Sequence, residues 1–88
     1  MKMIKNEEME YIPVDENCVV LFDPTLNKTH FFEGTAAEIV RRIYCGENDL
    51  DKLIESLEQE YNDPDQHLRQ DVEAFAVELE EIKAVRQL

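Results

Sequence analysis

Three short runs in the first part of the chain have the residue types and spacing of β-strands. Residues 10–14 form a short strand pattern, and after turn residues at 15–17 comes the continuous apolar run 18–22. A β-branched and aromatic run of this length is typical of a central strand that is covered on at least one face. Residues 23–27 place a proline and an asparagine at turn positions, and Lys28–Glu33 returns as a third strand. The pattern therefore predicts a three-stranded antiparallel meander.

After Gly34 the apolar residues recur with the period of a helix. Thr35 and Glu38 have the spacing of a capping box, in which the threonine hydroxyl accepts an early helix N–H and the glutamate reaches back. Asp49 is placed to cap a second helix, and residues 63–66 predict the start of a third, with a proline at its first helical position. The apolar stripes of the three helices are Ala36, Ile39, Val40, Ile43 and Tyr44; Leu50, Leu53, Ile54, Leu57 and Tyr61; and Leu68, Val72, Phe75, Ala76, Leu79 and Ile82.

The order of these elements predicts an α+β fold in which the meander is followed by three α-helices. The 88 residues are enough for one compact domain with one modest core, and we expect this domain to span residues 10–88. Residues 1–9 mix lysine, asparagine, glutamate and methionine without a clear period. We therefore expect a flexible N-terminal arm before the domain.

The chain is strongly acidic, with 21 Asp plus Glu against 9 Lys plus Arg and a formal net charge of -12. This charge repels phosphate backbones and anionic lipid headgroups, so we expect neither nucleic acid nor a membrane as a partner. No apolar run approaches the roughly 20 residues that span a bilayer, and the first residues lack the apolar region of a secretory signal. We therefore expect a cytoplasmic protein.

The sequence contains no residue pattern that indicates catalysis or a cofactor. There is no Ser/His/Asp or Cys/His arrangement and no Gly-rich phosphate loop, and the chain has only two glycines. His30 and His67 lack metal-ligand partners at suitable spacing, so no metal site is expected. Cys18 and Cys45 show no paired spacing and predict buried free thiols. We expect a protein that is not an enzyme and has no cofactor.

The two outer strands of the predicted meander differ in their protection against pairing with another chain. The first contains Pro13, which lacks an N–H donor, whereas residues 29–32 of the third contain no proline, acid or lysine. An edge without such residues is either covered by the protein's own helix or available to another chain, and the pattern leaves both interpretations open. An open edge also allows self-pairing into a homodimer.

Several short motifs share the spacing of a known family. They are residues 19–23, residues 32–39 at the junction of sheet and helix, Gly46 after the first helix, and residues 71–75 in the third. Together they resemble the PqqD family, the RiPP recognition elements of ribosomal peptide natural-product pathways, over nearly the whole chain from Tyr11 to Val85. The family often has Leu-Asn at the position of residues 32–33, and a glycine usually stands near the position of Lys83.

The resemblance implies a winged helix-turn-helix fold that binds peptides. The leader of a precursor peptide would pair antiparallel with the third strand and pack against the third helix, and a modifying enzyme of the radical SAM type or a leader peptidase would be a second partner. By position, the pairing strand is Lys28, Thr29, His30, Phe31 and Phe32, and the helical wall is Leu68, Arg69, Val72, Phe75 and Ala76. Within this wall, Arg69 would pair with a leader carboxylate, although Val72 and Phe75 also fit the core stripe of their helix.

Two other functions remain open at this point. A winged-helix transcriptional regulator would share the architecture, but its recognition helix needs basic residues, and the second helix offers only Lys52 among several acids. An acidic accessory subunit without a peptide client is the other alternative. Charge disfavours the regulator, and the residue pattern does not decide between the adaptor and the accessory subunit.

Overall fold

The computed structural model describes residues 2–61 and 67–88. The elements in chain order are β1 (Met3–Lys5), β2 (Glu10–Asp15), β3 (Cys18–Asp23), β4 (Lys28–Glu33), α1 (Thr35–Tyr44), α2 (Leu50–Glu60), α3 (Leu68–Glu81) and β5 (Val85–Gln87). The predicted α+β class, with a three-stranded antiparallel meander followed by three helices, is confirmed. The predicted start of the third helix at residues 63–66 lies outside the described residues.

The meander is an antiparallel sheet with the strand order β2-β3-β4. Because side chains alternate along a strand, the sheet has two different faces. On the inner face, Val19 and Leu21 have no exposed surface and lie opposite Phe32 and His30 of β4. Val19 and Leu21 share one core with the apolar stripes of the helices. The outer face carries the alternate residues, of which Val20 is the central one.

The first helix begins differently from the sequence prediction. Gly34 occupies the N-cap position with φ of 63°, no side chain caps the helix, and Thr35 already lies inside it. Glu38 does not reach back, because Arg41 Nη1 and Arg42 Nε each donate to its carboxylate at 2.9 Å. These arginine hydrogen bonds, chiefly the one from Arg42, lower the pKa of Glu38. The predicted capping box is therefore wrong.

The second helix begins as predicted. Asp49 Oδ1 accepts hydrogen bonds from the backbone N–H of Asp51 at 3.0 Å and of Lys52 at 3.4 Å, as an N-cap residue does. The buried residues of this helix are Leu50, Leu53, Ile54 and Leu57. Tyr61, which the sequence pattern placed on the same stripe, follows the last helical residue and is 42% exposed, so the buried stripe ends at Leu57.

The third helix ends in a Schellman arrangement. The N–H of Ala84 donates to the carbonyl of Leu79 at 2.8 Å, and the N–H of Lys83 donates to the carbonyl of Glu80 at 3.0 Å. Lys83 has φ of 64°, the left-handed conformation that favours glycine at this position. The residue that departs from the family pattern thus occupies the most strained backbone position of this turn.

The two ends of the chain pair with each other, which the sequence did not predict. β1 and β5 form a two-stranded antiparallel sheet in which Met3 lies opposite Gln87 and Lys5 opposite Val85. The side chain of Met3 is 1% exposed, and its N–H donates to the carbonyl of Asn48 at 2.8 Å. The segment expected to be a flexible arm therefore contributes a strand and two core residues, Met3 and Met9. The prediction missed this because the partner strand lies at the far end of the chain.

Tyr44, the last residue of α1, connects the two sheets. Its hydroxyl donates to the carbonyl of Ala84 at 2.7 Å, in the segment that leads into β5, and its ring stacks on Tyr11 of β2 at 5.6 Å between centroids. Burial raises the pKa of Tyr44 to about 12. This side chain therefore holds the end of α3 and the meander in a fixed relation to α1.

The two cysteines are free and differ in burial. Cys18 is buried, as predicted, whereas Cys45 is exposed. The expectation of a buried thiol was wrong for Cys45 because α1 ends at Tyr44, and the next residue turns away from the core as the C-cap.

Candidate functional site

A cleft lies between the edge strand β4 and helix α3. Its volume is about 300 Å³, and its lining residues are Thr29, His30, Phe31, Phe32, Phe75, Glu78, Leu79 and Ile82. β4 is the last strand of its sheet and, among residues 2–61 and 67–88, pairs with β3 alone. The cleft therefore follows a strand whose second edge is open to another chain.

The register of β4 on β3 determines which backbone groups face this open edge. Gly34 N–H donates to the carbonyl of Asn17 at 3.0 Å, so these two residues form a hydrogen-bonded pair at the end of the ladder. Bonded and non-bonded pairs alternate in an antiparallel ladder. Phe32 and His30, an even number of residues from Gly34, therefore direct their N–H and C=O groups to β3. The residues that direct these groups to the open edge are Thr29, Phe31 and Glu33.

Aromatic side chains of both elements form the floor of the cleft. The rings of Phe32 and Phe75 meet edge to face with centroids 5.7 Å apart, and both pack against the core. Phe31 borders the cleft, but strand alternation directs its side chain to the opposite face of the sheet, where it is 59% exposed. A chain that pairs with β4 would thus have aromatic surface below one of its faces and the Phe31 ring beside the other.

Only part of the helical wall expected from the sequence lines this cleft. Phe75 does so, but Val72 and Ala76 are each 1% exposed, because they point into the core that α3 shares with the sheet. Leu68 packs against the same core and Lys28 is exposed at the hairpin end of β4, and neither residue lines the cleft. The pairing-strand residues that line the cleft are Thr29, His30, Phe31 and Phe32.

Arg69 is directed to the neighbouring helix instead of the cleft. Its Nη1 lies 3.1 Å from Asp51 Oδ1, and its Nη2 lies 4.0 Å from Glu58 Oε1, both on α2. The hydrogen bond from Arg69 lowers the pKa of Asp51, so the guanidinium is engaged by carboxylates of its own chain. Arg69 does not line the cleft, and its expected pairing with a leader carboxylate stays a prediction.

The wall of the cleft includes three residues that sequence reasoning missed, Glu78, Leu79 and Ile82. They continue the helical face of Phe75 by one and two turns towards the end of α3. Their spacing from Phe75 places them on the same face of the helix, which the sequence shows. Which turn of that face lies beside β4 depends on tertiary packing, which the sequence does not show. Glu78 is exposed and has no ion pair within the described part of the chain. The cleft thus carries one carboxylate that favours a cationic or neutral peptide side chain.

Among residues 2–61 and 67–88, no group of three or more His, Cys, Asp and Glu side chains is placed to hold a metal ion. None of the helices described is long and apolar enough to cross a bilayer.

A solved structure has the same arrangement of strands and helices. The structure, described as TbiB1 in Complex with the TbiA(beta) Leader Peptide, matches this chain with a TM-score of 0.85, covers 97% of this chain and 96% of the other, and shares 12% sequence identity. At that identity the match establishes the fold. It defines the class of the chain as a small α+β domain of the type seen in that complex.

The family model described as Coenzyme PQQ synthesis protein D (PqqD) matches residues 18–85, from β3 to the first residue of β5. The chain therefore belongs to the PqqD family, which confirms the resemblance found in the sequence. A comparison with curated proteins gave no significant match.

Proposed function

We propose that this chain binds the leader of a ribosomally synthesised precursor peptide as an added strand, antiparallel to β4. The observation that supports the proposal most directly is the cleft itself, where an open strand edge and an aromatic floor lie side by side. Membership of the PqqD family and the likeness to a protein solved with a leader peptide support the same function.

Strand addition divides affinity and selectivity between backbone and side chains. The outward N–H and C=O groups of Thr29, Phe31 and Glu33 supply hydrogen bonds that any leader sequence can satisfy, each contributing about 1 kcal/mol net. Alternate leader side chains would enter the cleft against Phe32 and Phe75. A cleft of about 300 Å³ suits a few side chains, so selectivity would come from a few apolar anchors.

The charge of the chain narrows the choice of leader. Glu78 lines the cleft, and the whole chain carries a formal net charge of -12. A leader with a lysine or arginine near the end of α3 would gain attraction there, and an acidic residue at the same place would be repelled. We therefore propose a leader that combines apolar anchors with at least one cation.

The chain would act as an adaptor without catalysis of its own. In this proposal it presents the bound leader to a peptide-modifying enzyme, of the radical SAM type, or to a leader peptidase. The sheet and the helix pair α2 and α3, joined by the ion pair between Arg69 and Asp51, would form a winged helix-turn-helix unit that serves peptide binding. Its acidic surface disfavours the use of that unit on DNA.

Amide mapping by NMR tests the proposal. The isotope-labelled chain is titrated with the leader peptide encoded nearest to its gene, and the largest shifts are expected for Thr29, Phe31 and Glu33 and for the α3 residues from Phe75 to Ile82. Phe75→Ala should weaken this titration, while Val77→Ala, a matched truncation on the same helix at a 53% exposed position outside the cleft, should leave it unchanged. Saturable binding that shifts neither β4 nor α3 would contradict the proposed site. Edge-to-edge dimers of the free chain that persist when leader is added would contradict strand addition.

A further inference from the structure

The outer face of the three-stranded sheet carries an apolar row. The register places Ile12 opposite Val20 and Val20 opposite Phe31, so the three side chains cross all three strands side by side. Ile12 is 44% exposed and Phe31 is 59% exposed, and Val14, two residues after Ile12 on β2, is 57% exposed. The row is thus a continuous apolar surface in contact with water.

The fold does not use this surface for its own core. Within the described residues, the core cluster draws from the sheet only inner-face residues, namely Val19 and Leu21 with Tyr11 and Phe32 packed against them. Exposed apolar side chains that stand singly are common, but a contiguous row with a polar border is typical of a surface that binds another protein. The outer face is therefore available to bind another protein.

The border of the row is negatively charged. Glu10 lies opposite Phe22 at one end of the outer face, and Asp15 and Glu33 lie opposite Cys18 at the other. The pKa of the Cys18 thiol is raised, first by burial and then by the charges of these two carboxylates. No lysine, arginine or histidine occupies an outer-face position of β2, β3 or β4. Two copies of the chain would bring these acidic borders together, so charge disfavours self-association and favours a basic partner.

We infer that the outer face, with Ile12, Val20 and Phe31 at its centre, docks a second protein whose surface has an apolar centre surrounded by lysine and arginine. The inference rests on the proposed function, which makes the leader-processing enzyme this partner. A leader strand added to β4 would lie beside Phe31 and extend the sheet, so its outward side chains would continue the apolar row. A protein bound here would touch adaptor and leader together, and the loaded adaptor would bind it more tightly than the empty one.

The experiment measures binding of the purified enzyme encoded beside this gene, with and without leader, to five forms of the full chain. Ile12→Lys and Glu10→Lys alter the outer face on β2, at the opposite edge of the sheet from the leader cleft. Val77→Lys and Glu55→Lys are the matched controls, because they make the same charge changes at exposed positions of α3 and α2. Leader affinity is measured separately for each form, and thermal unfolding confirms that each is folded.

We expect Ile12→Lys to weaken enzyme binding about tenfold or more and Glu10→Lys several-fold, with both controls and all leader affinities unchanged. Unchanged enzyme affinity in Ile12→Lys would overturn the docking surface and leave leader binding intact. Equal losses in Val77→Lys would assign the effect to net charge and also overturn it. If the wild-type chain binds the enzyme but no leader, only the proposed function is contradicted. The docking surface is still tested, because enzyme binding is also measured in the absence of leader. Self-association that Ile12→Lys abolishes would identify a second copy as the occupant and contradict a basic partner.

Discussion

Replacing Phe31 by proline tests whether a leader pairs with the edge of β4 without disturbing the fold. The ladder register directs the N–H of Phe31 to the open edge of β4, so this donor is available to an added strand. Proline removes the N–H and fixes φ near about −65°, which an edge strand tolerates. His30, the preceding residue, directs its N–H to β3. Phe31→Pro should therefore weaken leader binding with little effect on stability, whereas His30→Pro should destabilise the fold.

The expected magnitudes follow from the groups that lose a partner. In Phe31→Pro a leader carbonyl loses one hydrogen bond, about 1 kcal/mol or roughly a fivefold weaker Kd, and the proline ring crowds the approaching strand further. The free energy of unfolding should change by less than about 1 kcal/mol, because Phe31 is 59% exposed. His30→Pro leaves the carbonyl of the fully buried Leu21 without its donor and should destabilise the fold by about 1 to 3 kcal/mol.

Two measurements on each variant are sufficient. Fluorescence anisotropy with a labelled leader gives Kd, and urea unfolding followed by circular dichroism gives the free energy of unfolding. Phe31→Val is the control for loss of the ring, because valine keeps the N–H and the strand preference. If Phe31→Pro and Phe31→Val bind the leader equally tightly and both are folded, the leader does not pair with this edge. If His30→Pro is as stable as Phe31→Pro, the assignment of inward and outward donors is wrong.

Three further predictions concern the cleft and the fold. Phe75→Ala should weaken leader binding about tenfold, because it removes one of the two rings that form the aromatic floor of the cleft, whereas Val77→Ala should leave binding unchanged. Equal affinities in the two variants would count against the cleft. Burial raises the pKa of Tyr44 to about 12, above the ordinary value of about 10, so the unfolded chain loses this proton first as the pH rises. The free energy of unfolding should therefore fall between about pH 10 and pH 12, by up to about 2 to 3 kcal/mol. The same pH dependence in Tyr44→Phe would refute the assignment of this fall to Tyr44. Lys83→Gly should raise the free energy of unfolding by up to about 1 kcal/mol by relieving the left-handed backbone, whereas Lys83→Ala should not, and urea unfolding compares the two.

The meander and the helices could be predicted from the sequence because their signals are local. The run 18–22 is apolar enough to be a covered strand, and its neighbours are separated from it by short turns whose residues suit tight backbone conformations. Asp49 caps α2 as predicted because an N-cap contact involves only the next few residues. The same local reasoning gave a wrong prediction for the start of α1. Gly34 N–H bonds to Asn17, across the end of the β3–β4 ladder, and this contact sets the start of the helix one residue earlier.

The second sheet and the wall of the cleft could not be predicted because both depend on distant parts of the chain. β1 and β5 have three residues each, too few for a period, and their pairing joins Met3 to Gln87. The position of the cleft along α3 depends on where the helix crosses β4. Residues near Arg69 belong to the contact with α2, while those after Phe75 meet the strand. The cleft lies between the strand and the helix that the sequence prediction named, about two turns further along that helix than the predicted wall.

The two edges of the meander explain why a peptide would choose β4. On β2, Pro13 lacks a donor, the ladder is irregular between Pro13 and Asp15, and Arg41 Nη2 already occupies the carbonyl of Asp15 at 2.8 Å. Each of these features reduces the hydrogen bonds that β2 can offer to another chain. β4 has a regular register throughout and an aromatic cleft below it. A strand that added to β2 would gain fewer backbone bonds and no aromatic floor, so the proposed strand addition would favour β4 over β2.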